Sequence, residues 1–332
     1  MRIKSIKRKN FKGKVYNFHC LPNETYCSEG VVVHNCYKNN TNAKPENMTL
    51  EDFKKIFNSM CVKTEDGRSI TPLTQIAFGI TGIQTNSDFI DMMKYSRENG
   101  VIPNFTLSGI DLTDEMANEV SKLVGAVAVS AYESDKEICY DTVNKFNLLG
   151  LNQTNIHLLA SNETLDFVYE VLNDSKTDKR LKGLNAIVFL VVKPKGRAKG
   201  MFNHLSIEQY KELITYCFDH DIPFGFDSCS APKFEATIKS MELKDEKKAQ
   251  LINMSESCES DLFSSYINVK GEYWNCSFSE NENGVKCVDV TKTDDFLKDV
   301  WYSNEINEFR SRLLDTVKNG CRHCPTFPEI NS

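Results

Sequence analysis

The 332-residue sequence has no hydrophobic run long enough to cross a lipid bilayer. Its longest apolar run, residues 186–192, is far shorter than the roughly 20 residues that a membrane-spanning helix needs. No apolar segment follows the basic N-terminus, so that end does not have the pattern of a signal peptide. The chain also lacks internal repeats and low-complexity linkers. We therefore expect a globular cytoplasmic protein of one large or two ordinary domains, with no membrane partner.

The sequence also lacks an excess of positive charge, with a formal net charge of −6 and a pI near 5.7. This balance makes nucleic acid an unlikely partner for the chain as a whole. The first 14 residues are an exception because they are rich in Lys and Arg. They could form a nucleic-acid-binding arm, but we favour docking to an acidic protein fragment, since charge complementarity speeds the encounter of two fragments.

Cysteine is abundant, with 12 residues, yet nothing in the sequence indicates secretion. A disulfide framework is therefore disfavoured, and metal binding or catalysis in a reducing compartment is favoured. Cysteines on predicted helices are expected to be core residues: Cys61, Cys139 and Cys217. Cys229 follows a predicted strand and could be a ligand or an active-site thiol, and Cys287 has no assigned role.

From residue 36 onward, short β-branched or aromatic runs alternate with amphipathic segments. The predicted strands are residues 75–80, 102–107, 126–131, 155–160, 186–192 and 223–227. Capping boxes are predicted at Thr49, Ser134 and Ser206, and helix C-caps at Gly100 and Gly150. This alternation predicts an α/β fold with a parallel sheet covered by helices, which binds ligands at the carboxyl ends of its strands.

The tripeptide His34-Asn35-Cys36 has the side chains for cleavage and ligation of the polypeptide backbone. An Asn side-chain amide can attack its own backbone carbonyl and cleave the following peptide bond, and a neighbouring His can assist. A thiol at the next residue can first accept an acyl group, which then shifts from sulfur to nitrogen. The preceding run 31–33 is β-branched and predicts a buried strand that leads to this junction.

Three short segments, residues 15–18, 23–26 and 30–36, resemble the two C-terminal splicing motifs of inteins. The resemblance covers about residues 1–35 and implies that His34, Asn35 and Cys36 carry the C-terminal cleavage and ligation. Because Met1 is only 35 residues before the junction, residues 1–35 look like the C-terminal half of a split intein. Two positions depart from the family pattern: Asn17 stands where many inteins have Asp, and Glu24 stands where many have His.

Residues 36 to about 227 resemble the radical SAM superfamily, in which a first strand leads to a C-x3-C-x2-C loop followed by an aromatic residue. Cys36-Tyr37 looks like the third cysteine of that loop. The resemblance implies three thiolates that hold a [4Fe-4S] cluster and leave one iron free for S-adenosylmethionine. We expect the first strand and the first two cysteines to come from an N-terminal precursor that also carries the other half of the intein.

The same resemblance suggests residues that contact S-adenosylmethionine. Gly79, Thr81 and Gly82 stand where the family has a Gly-Gly-Glu loop, although this chain has no Glu there. Ser130 and His157 are placed to reach ribose or carboxylate oxygens, with a core histidine as an equal alternative for His157. A further basic group follows the strongest predicted strand and is expected to form a solvated loop rather than a substrate site: Lys193, Lys195 and Arg197.

The spacing Cys258-x12-Gly271-x4-Cys276 resembles the opening of a SPASM or Twitch extension, and Cys321-x-x-Cys324 follows it. A β-hairpin is predicted around Gly271, with Cys276 on its return strand. The resemblance implies that Cys258, Cys276, Cys321 and Cys324 hold an auxiliary [4Fe-4S] cluster. Tetrahedral zinc is the alternative, since four thiolates suit zinc equally well.

Together these patterns predict a small, mainly β intein (Hint) C-terminal fragment at residues 1–35, an incomplete radical SAM (β/α)6 partial barrel at 36–235 and a small cysteine-rich α+β cap at 236–332. The expected function is trans-splicing followed by radical chemistry on a substrate, a peptide or protein by preference, with an electron donor as partner. One alternative is a non-catalytic iron-sulfur or zinc protein after splicing. Another is a contiguous intein-containing protein with a misassigned start.

Overall fold

The computed structural model describes residues 26–28, 31–33, 47–80, 82–195, 198–282, 288–318 and 320–331, with backbone alone at 26–28, 31–33 and 331. Among these residues, no helix is both long enough and apolar enough to cross a membrane.

Thirteen strands and nine α-helices are present in the described part of the chain. The strands are β1 (Tyr26–Ser28), β2 (Val31–Val33), β3 (Val62–Lys63), β4 (Ser69–Ile70), β5 (Gln75–Gly79), β6 (Ile102–Leu107), β7 (Val127–Ser130), β8 (Thr154–Ala160), β9 (Ala186–Val191), β10 (Phe224–Phe226), β11 (Tyr266–Ile267), β12 (Glu272–Trp274) and β13 (Val288–Asp289). The α-helices are α1 (Leu50–Ser59), α2 (Phe89–Glu98), α3 (Asp114–Ser121), α4 (Lys136–Leu148), α5 (Leu165–Thr177), α6 (Ile207–Asp219), α7 (Ala231–Ser240), α8 (Asp245–Asn253) and α9 (Asn304–Asp315).

The main sheet contains strands β5 to β10, all parallel and in sequential order. All six strands predicted from the sequence are confirmed, with ends that differ by at most one residue. A helix follows each of the first five strands, because parallel neighbours need a crossover connection. Among the described strands, β5 lies at one edge of the sheet and pairs with β6 alone.

The sheet is covered by helices on one face. Along β8, Ile156 and Leu158 are fully buried and belong to the largest hydrophobic cluster, together with residues of α4, α5 and α6. Side chains alternate across a strand, so the partly buried Asn155 and His157 of β8 lie on the opposite face. We call that opposite face the open face.

The C-terminal part of the chain forms a smaller unit, which we call the cap, around the antiparallel sheet β11-β12-β13. The predicted hairpin is confirmed as β11 and β12, but the third strand, β13, was not predicted. Cys276 lies in a bend after β12 rather than on the strand, so that detail of the prediction was wrong. Tyr273 of β12 packs with Ile56 of α1, which joins the cap to the rest of the fold.

Gly271 is required by the turn between β11 and β12. Its φ is +78°, a left-handed conformation that favours glycine. A Cβ at this position would lie 2.3 Å from Cγ2 of Thr291. The glycine of the cysteine spacing therefore has a local structural reason that does not depend on any ligand.

Two of the three predicted helix caps are confirmed. The side chain of Thr49 accepts a hydrogen bond from Asp52 N at 3.1 Å, and Ser206 forms a complete capping box with Gln209. Ser134 lies in a 3₁₀ turn, and α4 begins after Asp135 without a side-chain cap, so that prediction was wrong. Gly100 and Gly150 follow α2 and α4 with positive φ, as expected for helix C-termini.

Two boundaries predicted from the sequence can be compared with the structure. The boundary expected between residues 235 and 236 falls inside α7, whose Phe234 and Ile238 belong to the main core. Near the N-terminus, β1 and β2 form an antiparallel hairpin in which Tyr26 pairs with Val33. The predicted strand at 31–33 is thus present, whereas His34, Asn35 and Cys36 lie outside the described residues.

Candidate functional site

The open face brings several predicted ligand-binding residues into one region. Strand register places Gly79 beside Thr106, Thr106 beside Ala128, and Ala128 beside Asn155. A Cβ added at Gly79 would meet no atom within 4 Å, so the space above this row is open. Gly82 follows the strand in extended backbone, and Thr81 lies outside the described residues.

Ser130 and His157 are direct neighbours on β7 and β8, two residues nearer the carboxyl edge than that row. Both lie on the open face. Burial lowers the pKa of His157, while the nearby charge of Asp227 acts in the opposite direction and that of Lys193 adds to the lowering. The imidazole is therefore neutral at pH 7 and can act as a hydrogen-bond donor and acceptor.

Lys193 and Asp227 form a buried ion pair at the end of β9 and β10. Lys193 is only 8% exposed, and its ammonium group lies 4.8 Å from the centroid of the Phe278 ring. Asp227 also accepts hydrogen bonds from the backbone and hydroxyl of Ser230. This pair fixes the end of the sheet beside His157.

Lys195 contacts the cap directly. Its Nζ donates to the carbonyl oxygens of Phe278 at 2.8 Å and Glu280 at 2.5 Å. The expectation of a solvated basic loop was therefore wrong for Lys193 and Lys195, because the cap covers both side chains. Arg197 lies outside the described residues.

A group of partly or fully buried thiols lies at the junction of the sheet and the cap. Cys258 is close enough to Cys276 and Cys324 for thiolate charges at these positions to interact, and Cys229 is similarly close to Cys258 and Cys324. Burial raises the pKa of Cys258 to about 11 and that of Cys229 to about 12. Four partly buried thiols in one neighbourhood form a set of candidate ligands for a metal group, which would bind them as thiolates.

Cys321 has different surroundings. Its thiol lies beside the buried carboxylate of Glu235 on α7 and the hydroxyl of Ser257. Burial and Glu235 together raise the pKa of Cys321 to about 11. A side-chain contact holds this segment to Cys258, since Nε of Arg322 donates to the carbonyl oxygen of Cys258 at 2.5 Å.

Which metal group these residues could bind depends on how far apart the thiols lie. Within the described ranges, no three His, Cys, Asp or Glu side chains converge closely enough to bind a single metal ion. A zinc ion needs four sulfurs about 2.3 Å from one point. A [4Fe-4S] cluster binds each thiolate to a different iron, so its ligands need not converge on one point.

The three-cysteine cluster implied by the sequence resemblance can also be compared with the structure. The sequence contains no C-x3-C-x2-C segment, and Cys36 lies outside the described residues. The described residues therefore do not supply three ligands for that cluster.

Sequence reasoning missed the role of Asp227 and left Cys229 open. Both belong to Asp227-Ser228-Cys229, directly after the predicted last strand. The position of this segment at the carboxyl end of a predicted strand could have identified it as part of a candidate site. The contact with Lys193, however, depends on a pairing across 34 residues of sequence.

The chain was compared with known proteins at three levels. No family model matches it, and no curated protein does. Among solved structures, SuiB from Streptococcus suis bound to its precursor peptide SuiA matches with a TM-score of 0.59 and 14% identity, over 83% of this chain and 63% of SuiB. SuiB bound to S-adenosylmethionine matches with a TM-score of 0.57 and 12% identity, over 80% of this chain and 61% of SuiB.

A second protein, anSMEcpe with bound AdoMet and a Cp18Cys peptide, matches with a TM-score of 0.56 and 14% identity. That match covers 86% of this chain and 80% of anSMEcpe. The chain spans about three fifths of the length of SuiB. At these identities the likeness shows the fold alone: an α/β structure with a six-stranded parallel sheet, similar to the folds of SuiB and anSMEcpe.

Proposed function

We propose that this chain forms most of a radical SAM enzyme that modifies a peptide or protein, and that protein splicing at Asn35-Cys36 completes it. The observation that supports the enzyme most directly is the position of the buried thiols. They lie where the carboxyl edge of the parallel sheet meets the cap, beside the open face. Ligands of parallel α/β sheets bind at that edge.

In this proposal the open face binds S-adenosylmethionine. The open space above Gly79 accepts the methionine part, and Ser130 and His157 offer a hydroxyl and a neutral imidazole to polar groups of the cofactor. When its iron-sulfur cluster is complete, a radical SAM enzyme supplies a 5′-deoxyadenosyl radical that removes a hydrogen atom from the substrate. The solved structures of similar fold include complexes with S-adenosylmethionine and with peptides, which supports a peptide as the substrate class here.

The cap, we propose, holds an auxiliary [4Fe-4S] cluster. Cys258, Cys276 and Cys324 are three of its ligands, because they are mutual neighbours. Two backbone N–H groups support the thiolate of Cys324, including Phe327 N at 3.3 Å from Sγ. The fourth ligand is either Cys321, as the sequence spacing suggests, or another thiol nearby.

The proposed splicing step uses residues at the end of the N-terminal hairpin. The acyl group of an N-terminal polypeptide, held as a thioester or ester on the first residue of the N-terminal intein part, transfers to the thiol of Cys36 and releases that residue's thiol or hydroxyl. Asn35 then cyclises to a succinimide and cleaves the bond to Cys36 with assistance from His34, which frees the amine of Cys36. The acyl group moves from the sulfur to the nitrogen of Cys36 and forms a normal peptide bond. The N-terminal partner thereby supplies the first strand and the first two cluster cysteines, and β5, with one paired neighbour among the described strands, leaves an edge for that strand.

Intact mass spectrometry tests the splicing step. The chain is produced anaerobically with a polypeptide carrying the N-terminal intein part and the missing cysteines. We expect a ligated species containing residues 36–332, which Asn35→Ala abolishes and the control Asn39→Ala leaves unchanged. Full-length chain alone, in the presence of a competent partner, would contradict the splicing proposal.

Formation of 5′-deoxyadenosine by the ligated and reduced product tests the enzyme. We expect His157→Ala to lower the rate at subsaturating S-adenosylmethionine more than at saturation, because its proposed role is binding. A product with intact clusters that forms no 5′-deoxyadenosine would favour a non-catalytic iron-sulfur protein instead.

A further inference from the structure

The open face has two halves of different chemistry. The half formed by β5 to β8 carries Gly79, Ser130 and His157, which bind the cofactor in the proposed function. The half formed by β8 to β10 carries partly buried apolar side chains: Leu159, Val188 and Leu190. Strand register places Val188 directly beside His157, so the two halves are continuous.

The apolar side chains of the β8–β10 half are not part of the protein core. The alternate residues Ile187 and Phe189 on β9 are buried and belong to the largest hydrophobic cluster. Among the described residues, none of the three hydrophobic clusters includes Leu159, Val188 or Leu190. Neighbouring apolar side chains outside the core form a surface that favours contact with another apolar group.

Gly225 leaves room beside this surface. It lies on β10 and pairs with Val188. A Cβ added at Gly225 would have one neighbour within 4 Å among the described atoms, Cγ2 of Val188 at 4.0 Å. The side chain of a ligand can therefore lie over β10 beside Val188 without displacing these atoms.

The cap places an aromatic ring at the carboxyl end of this half. The centroid of the Phe278 ring lies 4.8 Å from Nζ of Lys193, and the same ammonium group pairs with Asp227 after β10. The carbonyl oxygen of Phe278 accepts a hydrogen bond from Nζ of Lys195 at 2.8 Å, which fixes the backbone that carries the ring. Lys193 and Asp227 neutralise each other, so their pair offers no net charge to a charged ligand.

We propose that the β8–β10 half of the open face binds an apolar side chain of the peptide substrate. The contact surface, the space and the adjoining ring are supplied by Leu159, Val188, Leu190, Gly225 and Phe278. A charged side chain would lose its hydration on this surface without gaining an opposite net charge, which is costly. The inference rests on the proposed function, which supplies the peptide substrate and places the cofactor on the adjoining half.

Photocrosslinking tests this surface in the full, unspliced chain after anaerobic reconstitution with iron and sulfide. The probe is an acetylated peptide amide with photoleucine between two pairs of glycines. We expect mass spectrometry to locate its crosslinks on β8, β9, β10 and the segment around Phe278. The matched peptide with leucine at the centre should suppress these crosslinks at a concentration at least about tenfold lower than the peptides with aspartate or lysine.

Two variants give a second readout. Gly225→Leu fills the space over β10 and should lower crosslinking of this surface about tenfold. The control Leu148→Asn changes an apolar residue of α4 that is 79% exposed, and it should leave crosslinking unchanged. Slow hydrogen exchange in β8 checks that each variant is folded, and the competition among peptides in the unaltered chain does not depend on either variant.

Crosslinks that are absent from this surface, or equal competition by the charged peptides, would overturn the inference. The proposed radical function has a separate readout, because formation of 5′-deoxyadenosine is measured in the ligated enzyme without the probe. Selective competition by the leucine peptide, without 5′-deoxyadenosine formation by the ligated enzyme, would support the apolar surface and contradict the radical function.

Discussion

Alternate residues of β6, β8 and β9 in the parallel sheet are buried, whereas the cap buries a set of polar side chains around one carboxylate. Asp261 is fully buried and accepts hydrogen bonds from Tyr273 and Asn275. Its backbone carbonyl oxygen also accepts a hydrogen bond from Arg310 Nε at 2.5 Å. The cap has only short strands and a small apolar cluster.

This difference indicates how each unit obtains its stability. The sheet gains free energy mainly from apolar burial, which a long alternating sequence can supply by itself. The cap is too small for that and depends on satisfied polar groups and, in our proposal, on a metal cluster. The two tryptophans of the chain, Trp274 and Trp301, both lie in the cap, so tryptophan fluorescence reports the cap alone.

Removing the cluster should have the largest effect and should separate the two units. A chelator added to iron-loaded chain is expected to unfold the cap, because metal binding and folding of such small units are coupled. Tryptophan fluorescence should shift to the red, while amide hydrogen exchange in β6 to β9 stays slow. Equal loss of protection in the sheet would show that the units do not differ in this way.

A cavity in the sheet core is the next test. Ile156→Ala should lower the free energy of unfolding of the sheet by about 2–5 kcal/mol, since Ile156 is fully buried beneath helices. Leu159→Ala, on the open face of the same strand, is the matched control and should cost clearly less. Hydrogen exchange of β8 measures both, and a similar cost for the two variants would contradict the assignment of faces.

Removal of one hydroxyl group should weaken the polar network of the cap. Tyr273→Phe removes a donor to the buried carboxylate of Asp261 and should cost about 1–3 kcal/mol in cap stability at neutral pH. Burial already raises the pKa of Asp261 above 3.8 in the folded chain, and loss of this donor raises it further. The cost should therefore shrink as the pH falls through that raised pKa, because the protonated carboxyl needs fewer donors.

Urea unfolding followed by tryptophan fluorescence at neutral and acidic pH measures the effect of Tyr273→Phe. Tyr266→Phe is a suitable control, since its hydroxyl donates to Glu280 at 3.3 Å in a less buried position. A cost for Tyr273→Phe that does not change with pH would show that packing, rather than the carboxylate, sets it.

The smallest effect on stability is expected at Gly79. Gly79→Ala should change the free energy of unfolding by no more than about 0.5 kcal/mol, because the added methyl group meets no atom within 4 Å. Gly271→Ala should destabilise the cap measurably, because of its positive φ and the close approach of Thr291. In the ligated enzyme, calorimetry should nevertheless show weaker S-adenosylmethionine binding by Gly79→Ala, and a large loss of stability would contradict the open space above this residue.

Predictions from the sequence were reliable where the residues that determine a feature lie within one short segment. The six parallel strands follow from their apolar runs, and the caps at Thr49 and Ser206 follow from hydrogen bonds within four residues. The C-termini of α2 and α4 follow from the ability of Gly100 and Gly150 to adopt positive φ. These features depend on contacts near in sequence.

Features that join distant segments were predicted poorly. β13 pairs with β12, although residues 275–287 separate the two strands in the sequence. Lys193 and Lys195 were expected in a solvated basic loop after the strongest predicted strand, but the cap residues that cover them lie more than 80 residues away in sequence. The roles of His34, Asn35 and Cys36 stay predictions, since these residues lie outside the described part of the chain.

The sequence by itself determined the parallel α/β sheet, the hairpin around Gly271 and the set of cysteines available for a metal group. Only the tertiary structure decided which thiols are neighbours and that Lys193 and Asp227 form a buried pair beside them. The physical reason is that strand and turn formation depend on residues a few positions apart. The environment of a thiol depends on which loops meet at the edge of the sheet, and packing between distant segments sets that.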